Sequence, residues 1–222
     1  MKSVVIWGML MSASTLTWAD VSSSDAKRLS EASTVVRELR AAPDKGIPED
    51  LWNKADCVAV IPGLKKAAFM IGGEFGKGVV SCRSGQTWSA PVFIELQKGS
   101  AGFQIGVEQV DLVLLIMNRR GVEKLLENKI NLGADASVAA GPVGRAASAG
   151  TDGKLTAEIL AYSRAKGAFA GINLSGGVVK STEEDNEDLY GPGVAPRDVV
   201  LGTSISAPAS TEPFMAALNR AP

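Results

Sequence analysis

From Cys57 to Asn118 the chain carries one strand signal after another, and this constrains its fold more than any other feature. Val58 to Ile61, Ala67 to Ile71 and Gly78 to Cys82 read as three short strands, joined by Pro62-Gly63 and by the glycine-rich GGEFGKG. Val92, Ile94 and Leu96 then alternate with Phe93, Glu95 and Gln97, and Phe103, Ile105 and Val107 alternate with Gln104, Gly106 and Glu108. A period of two with unlike faces belongs to antiparallel strands, because successive side chains point to opposite sides of a pleated sheet. The run DLVLLIMN, Asp111 to Asn118, reads as a central strand buried on both sides.

Helical spacing flanks this block. Ala26, Leu29, Ala32, Val36 and Leu39 form one apolar stripe, with Ser24 available as N-cap and Lys27, Arg28, Arg37 and Arg40 on the polar side. Pro48 is placed to open a short second helix through Trp52 and Ala55. A further short helix is expected over Val122 to Asn128, and a terminal one from about Pro213 to Asn219 with Thr211 as its cap. Between them, GADASVAAGPVGRAASAG (Gly133 to Gly150) is almost all small residues, which permits close backbone approach. Ile159 to Tyr162 and Ala168 to Leu174 supply more strands, and the acidic run from Glu183 to Asp188 reads as a solvated helix start. No linker divides the chain. The expectation is a single α+β domain, a curved and mainly antiparallel β-sheet with flanking N- and C-terminal helices.

Residues 1–19 read as a secretory signal peptide: Lys2, an apolar run from Val4 to Leu10 or Met11, then small residues up to Ala19. The run is far short of the roughly 20 residues a spanning helix needs. Cleavage after Ala19 leaves a domain over 20–222, expected in the periplasm or outside the cell. An oxidising compartment favours disulfides, yet a three-strand meander would set Cys57 and Cys82 at opposite ends of parallel-running strands, about 17 Å apart. Two separate buried thiols are therefore expected rather than a bond.

The chain of 222 residues contains no His, which excludes imidazole general bases, Ser-His-Asp and Cys-His nucleophiles and His-containing zinc sites. A formal charge of -1 and an aromatic content of 5% argue against a nucleic-acid partner. GGEFGKG fails the phosphate-loop spacing and has Gly78 where Ser or Thr would hold magnesium. Ser163-Arg-Ala-Lys166 matches S-x-x-K, but so does Ser24-Asp-Ala-Lys27, and neither has the companion motifs of a Ser-Lys enzyme. The acidic run lacks the ligand order of a calcium loop. No catalytic residue, metal site or cofactor is expected.

The blocks DCVAVIPGLKKAAFMIGGEFGKGVVSCR, WSAPVFIELQKGSAGFQIGVEQVDLVLLIMN, KINLGADASVAAGPVGRAA and ILAYSRAKGAFAGINLSGGVV, in that order, closely resemble the SYLF domain, also called the Ysc84 family. The resemblance runs from about Asp25 to Tyr190. It implies phospholipid binding, best known from eukaryotic members that recognise phosphoinositides and join membranes to actin remodelling through an SH3 domain. No SH3-like segment is read after these blocks, so the actin role is not carried over. The resemblance places membrane contact on the N-terminal amphipathic helix, here with Lys27, Arg28, Arg37 and Arg40. Lys65 and Lys66, expected to project together from a hairpin tip after Pro62-Gly63, join them as lipid-binding candidates. The expected function is a non-enzymatic phospholipid-binding module of the cell envelope that contacts anionic headgroups reversibly. The alternative is a structural or protein-interaction protein of the envelope with no lipid specificity.

Overall fold

The computed structural model describes residues 21–41, 46–69, 71–101, 106–127, 129–143, 157–165, 168–202 and 205–219. The expected signal peptide, Phe103 to Ile105, Lys166 and the small-residue segment beyond Val143 lie outside the described residues.

Helix α1 (Ser23–Arg40) and the short α2 (Glu49–Lys54) lead into β1 (Cys57–Phe69), β2 (Ile71–Ser84), β3 (Thr87–Trp88), β4 (Val92–Ala101) and β5 (Gly106–Ile116). Then come α3 (Arg119–Glu127), β6 (Lys129–Asn131), β7 (Val138–Ala140), β8 (Ile159–Ala165), β9 (Ala168–Gly171) and β10 (Gly177–Ser181). The chain ends with α4 (Glu183–Tyr190), α5 (Pro196–Leu201) and α6 (Glu212–Asn219). The strands form one sheet in the order β6-β10-β4-β2-β1-β5-β8-β7, with β3 beside β2 and β9 beside β8. Every pairing is antiparallel except β7 with β8.

Chain length forces this sheet to curl. Flat, its two outermost strands would stand about 34 Å apart at 4.8 Å per neighbour. Yet β7 begins only seven residues after β6 ends, a span of at most about 24 Å, and Leu132 and Ala136 in that connection are themselves bridged. Side chains from both ends of that order, Ile130 of β6 and Val138 of β7, pack on one core with Ile61, Val80, Ile94 and Leu112. That face is the inside of the curl, and α3 and α5 close it with Val122, Leu125, Val199 and Val200. On the outer face Val58, Val60, Val79, Phe93, Val113 and Leu115 lie under Leu29, Val36 and Leu39 of α1 and Phe214 and Leu218 of α6. The α+β architecture with terminal helices outside a curved sheet is as expected, and Val113 and Leu115 against Leu112, Leu114 and Ile116 confirm β5 as buried on both sides.

The reading of residues 57–84 as three strands is corrected. Pro62-Gly63 is a bulge inside β1, not a turn: the register with β2 shifts between Val60 and Lys65, and the strand continues. Gly63 has φ +60 there, and its N–H donates to Asp111 Oδ1 at 2.9 Å. GGEFGKG is likewise not a turn but the first half of β2. A Cβ on Gly76 would meet Leu64 Cδ1 at 2.8 Å and one on Gly78 would meet Ile61 Cγ1 at 2.7 Å, so these glycines let β1 pack closely. With one hairpin in place of a meander, Cys57 and Cys82 fall directly opposite one another, and they are joined in a disulfide. The expectation of two separate thiols therefore fails.

The N-cap of α1 is Ser22, whose Oγ accepts from the Asp25 N–H at 3.2 Å, rather than Ser24. The small-residue segment serves close approach where it is described, since a side chain at Gly141 would overlap the ring of Tyr162.

Candidate interaction surface

The cations of α1 divide into buried and exposed sets. Lys27 is exposed and pairs with Glu31 at 3.7 Å, while Arg37 donates to Ser33 Oγ at 3.0 Å and Thr34 Oγ1 at 2.8 Å. Arg28 instead turns inward, its side chain 12% exposed. Its Nη1 lies 2.6 Å from Asp25 Oδ1 and 3.1 Å from Asp185 Oδ2 of α4, and the guanidinium sits 5.2 Å from the centre of the Phe93 ring. Asp185 also accepts from Lys77 Nζ of β2 at 3.0 and 3.1 Å. Two carboxylates and two cations thus tie α1, α4 and β2 together. The solvated helix start expected at Glu183 to Asp188 is corrected at two positions, because Asp185 and Asn186 are buried, the first against Arg28 of α1 and the second hydrogen-bonded to the Phe93 backbone.

Arg40, in the last turn of α1, stacks over Trp52 at 5.3 Å, and Trp52 meets Trp88 at 6.0 Å. Burial holds the Arg40 guanidinium below its ordinary pKa, nearby Glu49 opposes the shift and Arg83 adds to it. Arg83 in turn covers Trp88 at 4.4 Å and donates to the Trp52 and Ala55 carbonyls at the end of α2.

Lys65 and Lys66 are not at a hairpin tip; they are consecutive residues inside β1, so they point to opposite faces. Lys66 faces inward in a cross-strand row of alternating charge, opposite Glu108 of β5 and Glu74 of β2, with Lys98 of β4 beyond. Lys65 faces outward between Gln109 of β5 and Phe75 of β2, and Gln97 of β4 follows. The row Gln109, Lys65, Phe75, Gln97 crosses four strands on the face that α1 covers farther along, since Phe75, Lys77 and Val79 share one side of β2. Phe75 is 46% exposed, one of two exposed large hydrophobic side chains among the described residues. Gly73 and Gly99 leave the sheet bare beside it: a Cβ on Gly99 would have nothing within 4 Å. Phe75 is hard to single out from sequence because it sits in a glycine-rich stretch with the local chemistry of a turn; its spacing of two from Lys77 and Val79 is the signal that sets its face.

Clefts lie on either side of this row. One, of about 240 Å³, opens between Ser30, Glu31 and Thr34 of α1 and the bulge at Pro62-Gly63. Its floor is an ion network missed from sequence, in which Arg164 Nε and Nη2 lie 2.9 and 2.6 Å from Asp111 Oδ2 and the same guanidinium pairs with Glu38. The other, of about 530 Å³, is lined by Lys77, Glu95, Lys129, Lys180, Glu183 and Glu184, with Lys180 held 2.9 Å from Glu95. Among the described residues no group of His, Cys, Asp or Glu is placed to hold a metal, and no helix is long and apolar enough to cross a membrane.

Comparison with known proteins finds relatives that match most of the chain in sequence. "LAS seventeen-binding protein 3" of Saccharomyces cerevisiae is 34% identical over 180 residues, covering 79% of this chain and 39% of that protein. "Protein YSC84" of the same yeast is 35% identical over 182 residues, covering 79% of this chain and 38% of its own length. "SH3 domain-containing YSC84-like protein 1" of Mus musculus is 32% identical over 203 residues, 88% of this chain and 58% of that protein. The chain thus spans well under two thirds of the length of each of these relatives. The model of the Ysc84 family, described as "Las17-binding protein actin regulator", matches residues 97–221, more than half of the sequence, and the chain belongs to that family.

Proposed function

We propose that the domain is a non-enzymatic protein-interaction module of the cell envelope. The observation that carries this reading is how its charges are used. Arg28 and Lys77 are held by Asp25 and Asp185, Arg164 by Asp111, Lys180 by Glu95, and Lys27 is paired with Glu31. Lys65, exposed beside Phe75, has no such carboxylate among the described residues. A face mixing one aromatic, one cation and two amides has the composition of a protein contact, where aromatics are enriched and charge is sparse. The family description and the yeast relative's name, both of which speak of binding a protein, support the same reading. Location in the periplasm or outside the cell is part of the proposal: the segment 1–19 supports it, and so does the Cys57–Cys82 disulfide.

Crosslinking in cells tests the proposal, with one dominant protein adduct as the expected result. Sedimentation of the 20–222 form with vesicles at low salt is its counterpart, with equal recovery in the supernatant for anionic and neutral vesicles. Pelleting with anionic vesicles alone, in the absence of any adduct, would overturn it in favour of the second reading. That reading is reversible contact with anionic phospholipid headgroups, favoured by the exposure of Lys27 and Arg37 on the outer side of α1 and of Lys65 on the sheet. At about 1 kcal/mol per cation near an anionic surface, and with Glu31 and Glu38 on the same helix, such contact is weak. Arg28, Arg40 and Lys66 are set back from the surface and join it only if α1 or the hairpin moves.

A further inference from the structure

We propose that the row centred on Phe75 and Lys65 docks an acidic segment of a partner protein, which lays an apolar side chain on Phe75 and a carboxylate against Lys65. The inference rests on the protein-interaction reading and names the surface and the partner's chemistry.

Three observations carry it. Phe75 stands on the outer face of β2 with nearly half its surface in water, while Gly73 on its own strand and Gly99 on β4 leave flat backbone around it. A large side chain on a bare sheet offers a partner both an apolar contact and room for its backbone. The second observation is charge. Three carboxylates bordering the row are already engaged: Asp111 by Arg164 and the Gly63 N–H, Asp185 by Arg28 and Lys77, and Glu95 by Lys180 and the Gln97 amide at 2.8 Å. Lys65 remains as the exposed cation of the row, and the charge it attracts is negative.

The third observation is spacing. Lys65 and Phe75 are directly opposed across β1 and β2, with Cβ atoms about 5 Å apart. Alternate residues of an extended segment lie about 7 Å apart on one side, a distance the lysine stem spans easily. The fitting segment is therefore extended, with Asp or Glu within about two positions of a large apolar residue. A membrane surface fits less well, because one lysine gives little electrostatic attraction and the cross-strand neighbours of Phe75 are the polar Gln97 and Lys65.

The test is selection of short random peptides displayed on phage against the full purified chain. Enriched peptides are expected to share an acidic residue next to or two away from Phe, Trp, Leu or Ile. Their affinity is expected to fall at least about tenfold with F75S, because a central aromatic anchor concentrates binding energy, and to fall with K65E. With K65E as the bait, selection is expected to turn to basic peptides. Both side chains are exposed, so the variants should retain the wild-type melting temperature, and K65A serves as a milder second change. Enriched peptides lacking acidic residues, or insensitive to F75S and K65E, would overturn the proposal. Phe75-dependent binding of phosphatidylglycerol vesicles with no peptide enrichment would do the same. The cellular crosslink separates this idea from its premise: an adduct that persists in F75S removes this face but leaves the interaction reading, whereas no adduct even for wild type removes both.

Discussion

Replacing Cys57 and Cys82 together by alanine removes a link between residues 25 apart in sequence. In the chain-entropy account, closing a loop of that size withholds freedom from the unfolded ensemble worth about 3.5 kcal/mol. Both side chains are buried in the inner core, at 1% and 2% exposure, so the double variant also loses packing around two sulfur atoms. For a domain of this size each kcal/mol corresponds to about 2–4 °C, and the melting temperature is expected to fall by about 7–14 °C. Urea unfolding provides the assay. Wild type with reductant should approach the variant, the variant should not respond to reductant, and its m-value should rise because an uncrosslinked chain exposes more surface. Coincident midpoints for wild type and variant, or two titratable thiols in unfolded and unreduced wild type, would refute the reasoning.

The ion network under α1 makes Asp185→Asn costly: it leaves Arg28 with Asp25 alone and Lys77 without its carboxylate, and urea unfolding is expected to show a loss of about 3 kcal/mol. A loss under about 0.5 kcal/mol would show the network to be solvated rather than buried. The two tyrosines separate in the same assay. Tyr162 is fully buried with its hydroxyl unpartnered, so Tyr162→Phe is expected to be neutral or stabilising by about 1 kcal/mol, while Tyr190→Phe loses a hydrogen bond to the Pro91 carbonyl and costs about 1 kcal/mol. Burial also raises the pKa of both phenols, the only two in the chain. A group whose folded pKa lies above its unfolded value of about 10 stabilises the fold fully below that value and ceases to as pH rises through the folded pKa. Absorbance of tyrosinate is thus expected to appear only together with alkaline unfolding, and a reversible native titration centred near pH 10 would contradict the burial.

What could be read from sequence was whatever depends on periodicity within one element. Leu112 to Ile116 is apolar at every position, and any sheet that accepts it must bury both faces; the stripe Leu29, Ala32, Val36, Leu39 needs an apolar surface whichever strands provide it. The hairpin was not legible in this way. Pro62-Gly63 at a bulge and Gly76 and Gly78 in a strand have the same local chemistry as turns, and only the pairing partner distinguishes them. That one ambiguity carried the disulfide and the lysine pair with it, because both depend on which residues stand opposite and which face each one takes.

The sequence by itself determined the class of fold, its helical flanks, the family and the absence of imidazole chemistry, since composition, order and period are properties of the chain alone. Tertiary structure decided which charges remain available. Lys27, Arg28, Arg37 and Arg40 are equivalent as letters on one helix, but docking α1 onto the sheet set Arg28 between Asp25 and Asp185, laid Arg40 on Trp52, and left Lys27 and Arg37 outside. The same folding turned Lys65 outward beside Phe75 and Lys66 inward between Glu74 and Glu108. The reason is that a charge acts through its neighbours and its distance from water, and both are fixed by contacts between residues far apart in the chain.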